Sequence, residues 1–230
     1  MKHPLIIGAG GVASYLLPVL LKTFRPEALT IVDKDILEER NLDRQLFDAA
    51  HIGINKAEAL VQTVFPKQDE IPVNIIAAWF TDMLDLPEGI DCIICVADNH
   101  LARKHALERA DALRIPCFIG GNEYLDNEAY AYYPHWKGTD ADPRTRYPEI
   151  VSTDGEDSPA ACTGVAQQSS PQLAVANIGC AAKLLHLLWV WTRFVPANPT
   201  LTLESINALP YELFTGLSRN NALSITNPGK

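Results

Sequence analysis

The stretch "GAGGVAS" places Gly8, Gly10 and Gly11 directly after the apolar run "HPLII". Glycines at such a point permit a tight turn and let backbone amides approach phosphate oxygens, while the helix that follows turns its positive end to the anion. The next apolar run, "ALTIVDKD", delivers Asp33 at its end. An acid about 20 to 25 residues beyond such glycines accepts hydrogen bonds from ribose hydroxyls. That pairing suits a dinucleotide or a mononucleotide equally.

The residues downstream favour a triphosphate. Asn41, Arg44 and Lys56 place one amide and two cations after the ribose acid. A dinucleotide's pyrophosphate is handled by helix amides and needs no such cations, whereas cleavage of a triphosphate wants lysine and arginine on its oxygens. Lys56 opens a helix, where a cation opposes the helix dipole, and that placement makes sense if phosphate sits there. "VADNH" then puts Asp98 at the carboxyl end of an apolar strand, where ligands bind in open parallel sheets and where a carboxylate can hold Mg²⁺. Asn99 beside it serves equally as a helix cap. Gly8, Gly10, Gly11, Asp33, Asn41, Arg44 and Lys56 are therefore the candidate nucleotide-binding set, with Asp98 the candidate metal ligand.

The elements that position these residues alternate. Strands are read at 3–7, 28–32, 73–78, 92–97 and 116–121, and helices at 11–24, 54–65 and 99–113. Continuous rather than alternating apolar strands between helices mean an α/β fold with a mostly parallel sheet covered on both faces, doubly wound and Rossmann-like. Pro18 inside the first helix should kink or shorten it. After residue 134 the composition turns to Pro, Gly, Asp, Ser and Thr, and 135–170 reads as a long crossover loop. A long apolar helix follows over 171–194, then short C-terminal strands, "TLTLES" among them. The whole, 1–230, reads as one domain with its nucleotide-binding core in 1–134 and the C-terminal helix and strands in 171–230.

Cys92, Cys95, Cys117, Cys162 and Cys180 are odd in number and scattered, which fits a reducing cytoplasm. Cys92 and Cys95 lie in "GIDCIICVAD", a strand on which positions three apart face opposite ways, so the pair reads as core. Cys117 and Cys180 read the same way. Cys162 lies in the loop and is a candidate acyl acceptor, although its acidic neighbours Asp154, Glu156 and Asp157 would raise its pKa. A net charge of −9 argues against nonspecific binding to nucleic acid or anionic membranes. "CAAKLLHLLWVWTRFV" is broken by Lys183, His186 and Arg193 and reads as a buried helix rather than a membrane span. Arg144 and Arg146 read as solvated or as contacts to an acidic partner, and Trp189 and Trp191 as core or dimer interface.

The ordered set G-x-G-G, V-D-x-D, N-x-x-R-Q, I-G-x-x-K-A and D-N over residues 6 to 99 resembles the ThiF/MoeB/E1-like adenylating family. Beyond residue 120 the resemblance is looser. It implies that Asp33 binds ribose, that Arg44 and Lys56 bind phosphates, that Asn41 supports that site and that Asp98 binds Mg²⁺. It implies an enzyme that uses ATP to convert the C-terminal carboxylate of a small ubiquitin-like or sulfur-carrier-like protein into an acyl-adenylate, releasing pyrophosphate, with thioester transfer to Cys162 as a further step. The family forms dimers, so a homodimer is implied. The chemistry is coherent, since an ionised carboxylate needs positioning and charge neutralisation but no general base.

The chain departs from several branches of that family. It lacks the second Cys-x-x-Cys of members that carry structural zinc, so no zinc is expected. It begins at the first strand, so the N-terminal arginine that completes a neighbouring subunit's site has no counterpart. Another arginine substitutes, a partner supplies it, or catalysis is weak. The "SPAACTG" segment looks most like the branch found in the PRTRC cassette. Alternatives are an NAD-dependent oxidoreductase, a non-catalytic nucleotide-binding scaffold, and an enzyme that dehydrates a modified tRNA base, against which the acidic charge counts.

Overall fold

A computed structural model describes residues 1–65, 71–123, 125–152, 173–194, 212–215 and 223–226. Its strands are β1 (Pro4–Ile7), β2 (Leu29–Val32), β3 (Val73–Ile76), β4 (Cys92–Cys95), β5 (Cys117–Glu123), β6 (Asp126–Tyr132), β7 (Glu212–Thr215) and β8 (Leu223–Thr226). They join one sheet in the order β3-β2-β1-β4-β5-β6-β7-β8. The first five are parallel, and β6, β7 and β8 continue antiparallel. The helices are α1 (Gly11–Phe24), α2 (Lys56–Val64), α3 (His100–Leu113), the single turn α4 (Pro143–Arg146) and α5 (Ala174–Phe194). This is the expected α/β, Rossmann-like architecture.

Strands β1, β2 and β4 are buried at every residue, which is why their sequences carry no alternation. β3 forms the sheet edge and is only partly buried, so its apolar run is covered less than its sequence suggests. Strand order reverses between β1 and β4. Right-handed crossovers then put α1 and α2 on one face and α3 on the other, and open a crevice at that reversal. α1 runs through Pro18 to Phe24, its full expected length.

β6 went unread in the sequence. It pairs antiparallel with β5 in the register Glu123↔Asp126 to Cys117↔Tyr132, and the sequence between the two strands carries no Asn-Gly or Asp-Gly signal. The "TLTLES" strand and Cys162 lie outside the described residues. The first part of the 135–170 stretch, as far as Ile150, is anchored by short helical turns rather than running as open loop. Trp136 is buried edge-on to Tyr133, with ring centres 4.6 Å apart.

Arg144 holds the rest of that segment. Its Nε donates to Asp142 Oδ1 at 2.9 Å, its Nη1 to Asp111 Oδ2 at 2.8 Å and its Nη2 to the Tyr132 hydroxyl at 2.6 Å. It is bonded inside the chain, not solvated.

Helix α5 lies along α1 and against β5 and β6. By length and composition alone Ala174–Arg193 is long and apolar enough to cross a membrane, and half of it is buried within this fold. Trp191 packs on Phe118, whereas Trp189 is 43% exposed beside Phe24 and Arg193. Cys92, Cys95, Cys117 and Cys180 are all buried.

Candidate functional site

Gly8, Asp33 and Asp98 stand at or just past the carboxyl ends of β1, β2 and β4, beside the reversal of strand order. Gly8 adopts φ +93°, and a Cβ there would lie 3.0 Å from the Ala97 nitrogen. Only glycine allows both that turn and the close approach of the β4 end that carries Asp98. The Gly8 amide donates to the Val32 carbonyl at 2.9 Å, which ties the turn to β2.

Asp33 is built into the same turn. Its Oδ2 accepts from the Ala9 amide at 2.6 Å and its Oδ1 from the Asp35 amide at 2.8 Å. Burial pushes its carboxyl above the ordinary value, against the pull of those two amides and of Lys56. Each oxygen keeps lone pairs, so the group is short of donors, and a pair of vicinal hydroxyls would supply them.

Lys56 is the first residue of α2, and its side chain is 13% exposed. Its Nζ pairs with Asp35 Oδ2 at 3.1 Å, and Asp35 also pairs with Lys34 at 2.6 Å. Burial would raise the Asp35 carboxyl, but the two ammonium groups together hold it below the ordinary value. Asn55, directly before α2, caps the helix by accepting from the Ala57 amide at 3.0 Å. It also donates to the Asp33 and Asp35 carbonyls at 2.8 and 3.1 Å, which fixes the distance between β2 and α2.

The segment between them holds Asn41 and Arg44. Asn41 is buried, and its Oδ1 accepts from the Glu38 amide at 3.0 Å, so it shapes the loop from within. Arg44 donates from Nη1 to the Arg40 carbonyl and to Asp43, both at 2.8 Å, while its buried Nε has no partner among the described residues. Gln45 is buried beside Gly10 with its Oε1 likewise unpartnered. Gln45 thus leaves an unfilled polar atom beside the glycine turn, and Arg44 leaves one in the adjoining loop.

Asp98 is exposed, open to a hydrated divalent cation. Asn99 accepts from the Ala102 amide at 2.8 Å and is the cap of α3. No group of three or more His, Cys, Asp or Glu residues that could hold a metal occurs among the described residues.

Gly11 makes room for a side chain of α5. A Cβ there would fall 2.2 Å from Asn177 Nδ2. Asn177, on α5 and 1% exposed, donates to the Arg44 carbonyl at 2.9 Å, and its Oδ1 accepts from Asn122 Nδ2 at 2.9 Å. One side chain thus braces the start of α1, the Arg44 loop and the end of β5. Its sequence signal was a lone amide inside the apolar run "AVANIGC". Asp35 and Gln45 stand in the V-D-x-D and N-x-x-R-Q motifs, which carry their signal without indicating a role, and Asn55 gives only the ordinary mark of a helix start.

A family model described as "ThiF family" matches residues 1–218. This chain belongs to the ThiF family. Among its relatives are SUMO-activating enzyme subunit 2 of Dictyostelium discoideum, 29% identical over 124 residues, and human ubiquitin-like modifier-activating enzyme 7, 28% identical over 145 residues. These alignments take in 51% and 58% of this ThiF-family chain but only 18% and 14% of the relatives, so the likeness is to one part of much longer proteins. E. coli MccB, solved with ATP, superposes with a TM-score of 0.67 at 19% identity, over 100% of this chain and 64% of MccB. PaaA gives 0.66 at 17%, over 100% and 65%. At such identities the likeness is one of fold, and it covers the crevice described here.

Proposed function

We propose that this chain binds ATP with Mg²⁺ and adenylates the C-terminal carboxylate of a small ubiquitin-like protein or a related peptide, releasing pyrophosphate. The observation that carries the reading is the Asp33–Asp35–Lys56 group beside the Gly8 turn. It combines a carboxylate short of donors with a nearly buried cation on a helix N-terminus, an arrangement that a redox dinucleotide does not require. Membership of the ThiF family supports it, as do relatives named for activating ubiquitin-like modifiers and a fold neighbour solved with ATP and with MccA peptide.

In this reading Asp33 accepts the ribose hydroxyls. Arg44 and Lys56 neutralise the phosphate oxygens, Lys56 exchanging its Asp35 partner for phosphate. Asp98 would hold a Mg²⁺, which when bound would add neutralising charge near the phosphates. Asn41, Asn55 and Asn177 fix the loops that carry these groups. The incoming carboxylate is already ionised, so the chain contributes alignment and charge rather than proton transfer. Attack of the Cys162 thiolate on the acyl-adenylate, forming a thioester as the acyl–phosphate bond breaks and AMP leaves, and assembly of a homodimer belong to the same proposal.

The test is ATP–pyrophosphate exchange with candidate ubiquitin-like proteins. Exchange should require both the partner and Mg²⁺, and should fall by about 100-fold or more in Lys56→Ala and in Asp98→Ala. Undiminished exchange in both variants removes the site assignment. NADH binding without ATP binding would return the chain to the oxidoreductase reading, and ATP binding without exchange for any partner to the scaffold reading.

A further inference from the structure

Trp79 is 47% exposed, and the site described above makes no use of it. It follows β3, whose end lies against the end of β2, since the Asp33 amide donates to the Ile76 carbonyl at 3.2 Å. The loop that carries it is held firmly. Phe80 is buried, and Arg109 of α3 donates to the Asp82 and Leu84 carbonyls at 3.0 and 2.9 Å. His105 Nδ1 accepts from the Asp82 amide at 3.0 Å. The indole is therefore positioned without being packed. The ammonium of Lys34 stands over one of its faces, 4.0 Å from the ring centre. Lys34 directly follows Asp33 and has its own partner in Asp35, so it can leave the ring without becoming an unpaired charge.

We propose that Trp79 is the platform on which the base of the bound nucleotide stacks, on the ring face that Lys34 now covers. The inference rests on the nucleotide reading above and deepens it. Across the sheet, the candidate metal ligand follows β4, the glycine turn follows β1, the ribose acid ends β2 and Trp79 follows β3. Metal, phosphate, ribose and base thus follow the order of neighbouring strands β4, β1, β2 and β3, which lie about 4.8 Å apart. A ribose anchored at Asp33 with its phosphates toward the glycine turn sends its base toward β3. An exposed aromatic face binds a base more strongly than it holds a solvated ammonium. Stacking uses the π-face common to all bases, so it fixes the base without reading its edge.

Calorimetric titrations with ATP, GTP and inorganic tripolyphosphate test this, using wild type, Trp79→Ala and Trp79→Phe. Trp79→Ala should weaken ATP and GTP by the same factor, about 10- to 100-fold, and leave tripolyphosphate unchanged. Trp79→Phe should stay within about fivefold of wild type and lose the ATP-induced change in tryptophan emission. ATP affinity equal in wild type and Trp79→Ala overturns this inference while leaving the phosphate site intact. A loss for tripolyphosphate as large as that for ATP also overturns it, because the residue would then be supporting the fold. A wild-type protein that binds tripolyphosphate but gains nothing from the nucleoside refutes the platform, and one that binds neither refutes the nucleotide reading as well.

Discussion

Substituting Gly11 by alanine separates two explanations of the glycine turn. If Gly11 exists so that phosphate can approach, the variant folds normally and loses nucleotide. If it exists to admit Asn177, the fold suffers first. The added methyl would lie 2.2 Å from Asn177 Nδ2 and 2.6 Å from Cγ, and Asn177 is 1% exposed, with no route to water. Forcing it aside costs about 1–3 kcal/mol of overpacking. It also breaks two buried hydrogen bonds, to the Arg44 carbonyl and from Asn122, at about 0.5–1.5 kcal/mol each. Alanine in a helix returns about 0.5–1 kcal/mol. The net is about 3 kcal/mol, which lowers the melting temperature by about 6–12 °C in a chain of this size.

Thermal and urea unfolding measure this directly. Gly10→Ala is the control, because a Cβ there meets nothing nearer than Gln45 Nε2 at 3.9 Å, so its stability should change by less than about 1 kcal/mol. Adding Asn177→Ala to Gly11→Ala clears room for the methyl, and the pair should be less damaging than the sum of the single changes by about 2 kcal/mol. A Gly11→Ala protein that melts with wild type, or single costs that simply add, would refute the brace.

Other expectations follow from the same contacts. Burial raises the Asp111 carboxyl, but Tyr132, Arg144 and Lys137 together outweigh it and hold the group below its ordinary value. The unfolded chain therefore binds that proton more tightly than the folded one. The stability Asp111 confers is complete above about pH 5 and disappears as acid protonates it below about pH 4. Asp111→Asn should accordingly lower the urea midpoint at neutral pH and converge with wild type in acid, and a gap that stays constant would count against the Arg144 network. Burial pushes the Cys95 thiol up to about 11 and Cys180 to about 12, and drives Cys92 and Cys117 well up also. These four should resist a thiol reagent at about pH 8 until the protein unfolds, which mass spectrometry of labelled peptides would report. Any acyl thioester released by hydroxylamine should then be lost in Cys162→Ala; its survival would point to another acceptor.

Local chemistry made the first half of the fold legible. β1, β2 and β4 are apolar on both faces, and α2 and α3 begin at Asn55 and Asn99, residues whose short amides cap helices wherever they fall. Gly8, Asp33, Lys56 and Asp98 could be placed because each sits at the end of such an element. β6 could not, since "DNEAYAY" opens on poor strand formers and owes its state to pairing with β5. The partnership of Asn177 with the Arg44 carbonyl spans 133 residues, and Arg144 meets Asp111 across 33. No periodicity records such distances. Trp79 was invisible for a different reason, because an isolated exposed aromatic has meaning only through what stands beside it.

The Asn177 brace also bears on synthesis. A ribosome that has released the chain as far as β6 has already delivered Asp33, Arg44, Lys56, Trp79 and Asp98, the side chains proposed to hold the nucleotide and its metal. The glycine turn still lacks the amide that fills the space over Gly11 and pins the Arg44 loop. The proposed nucleotide site is therefore complete only once α5, the last helix among the described residues, has emerged and docked.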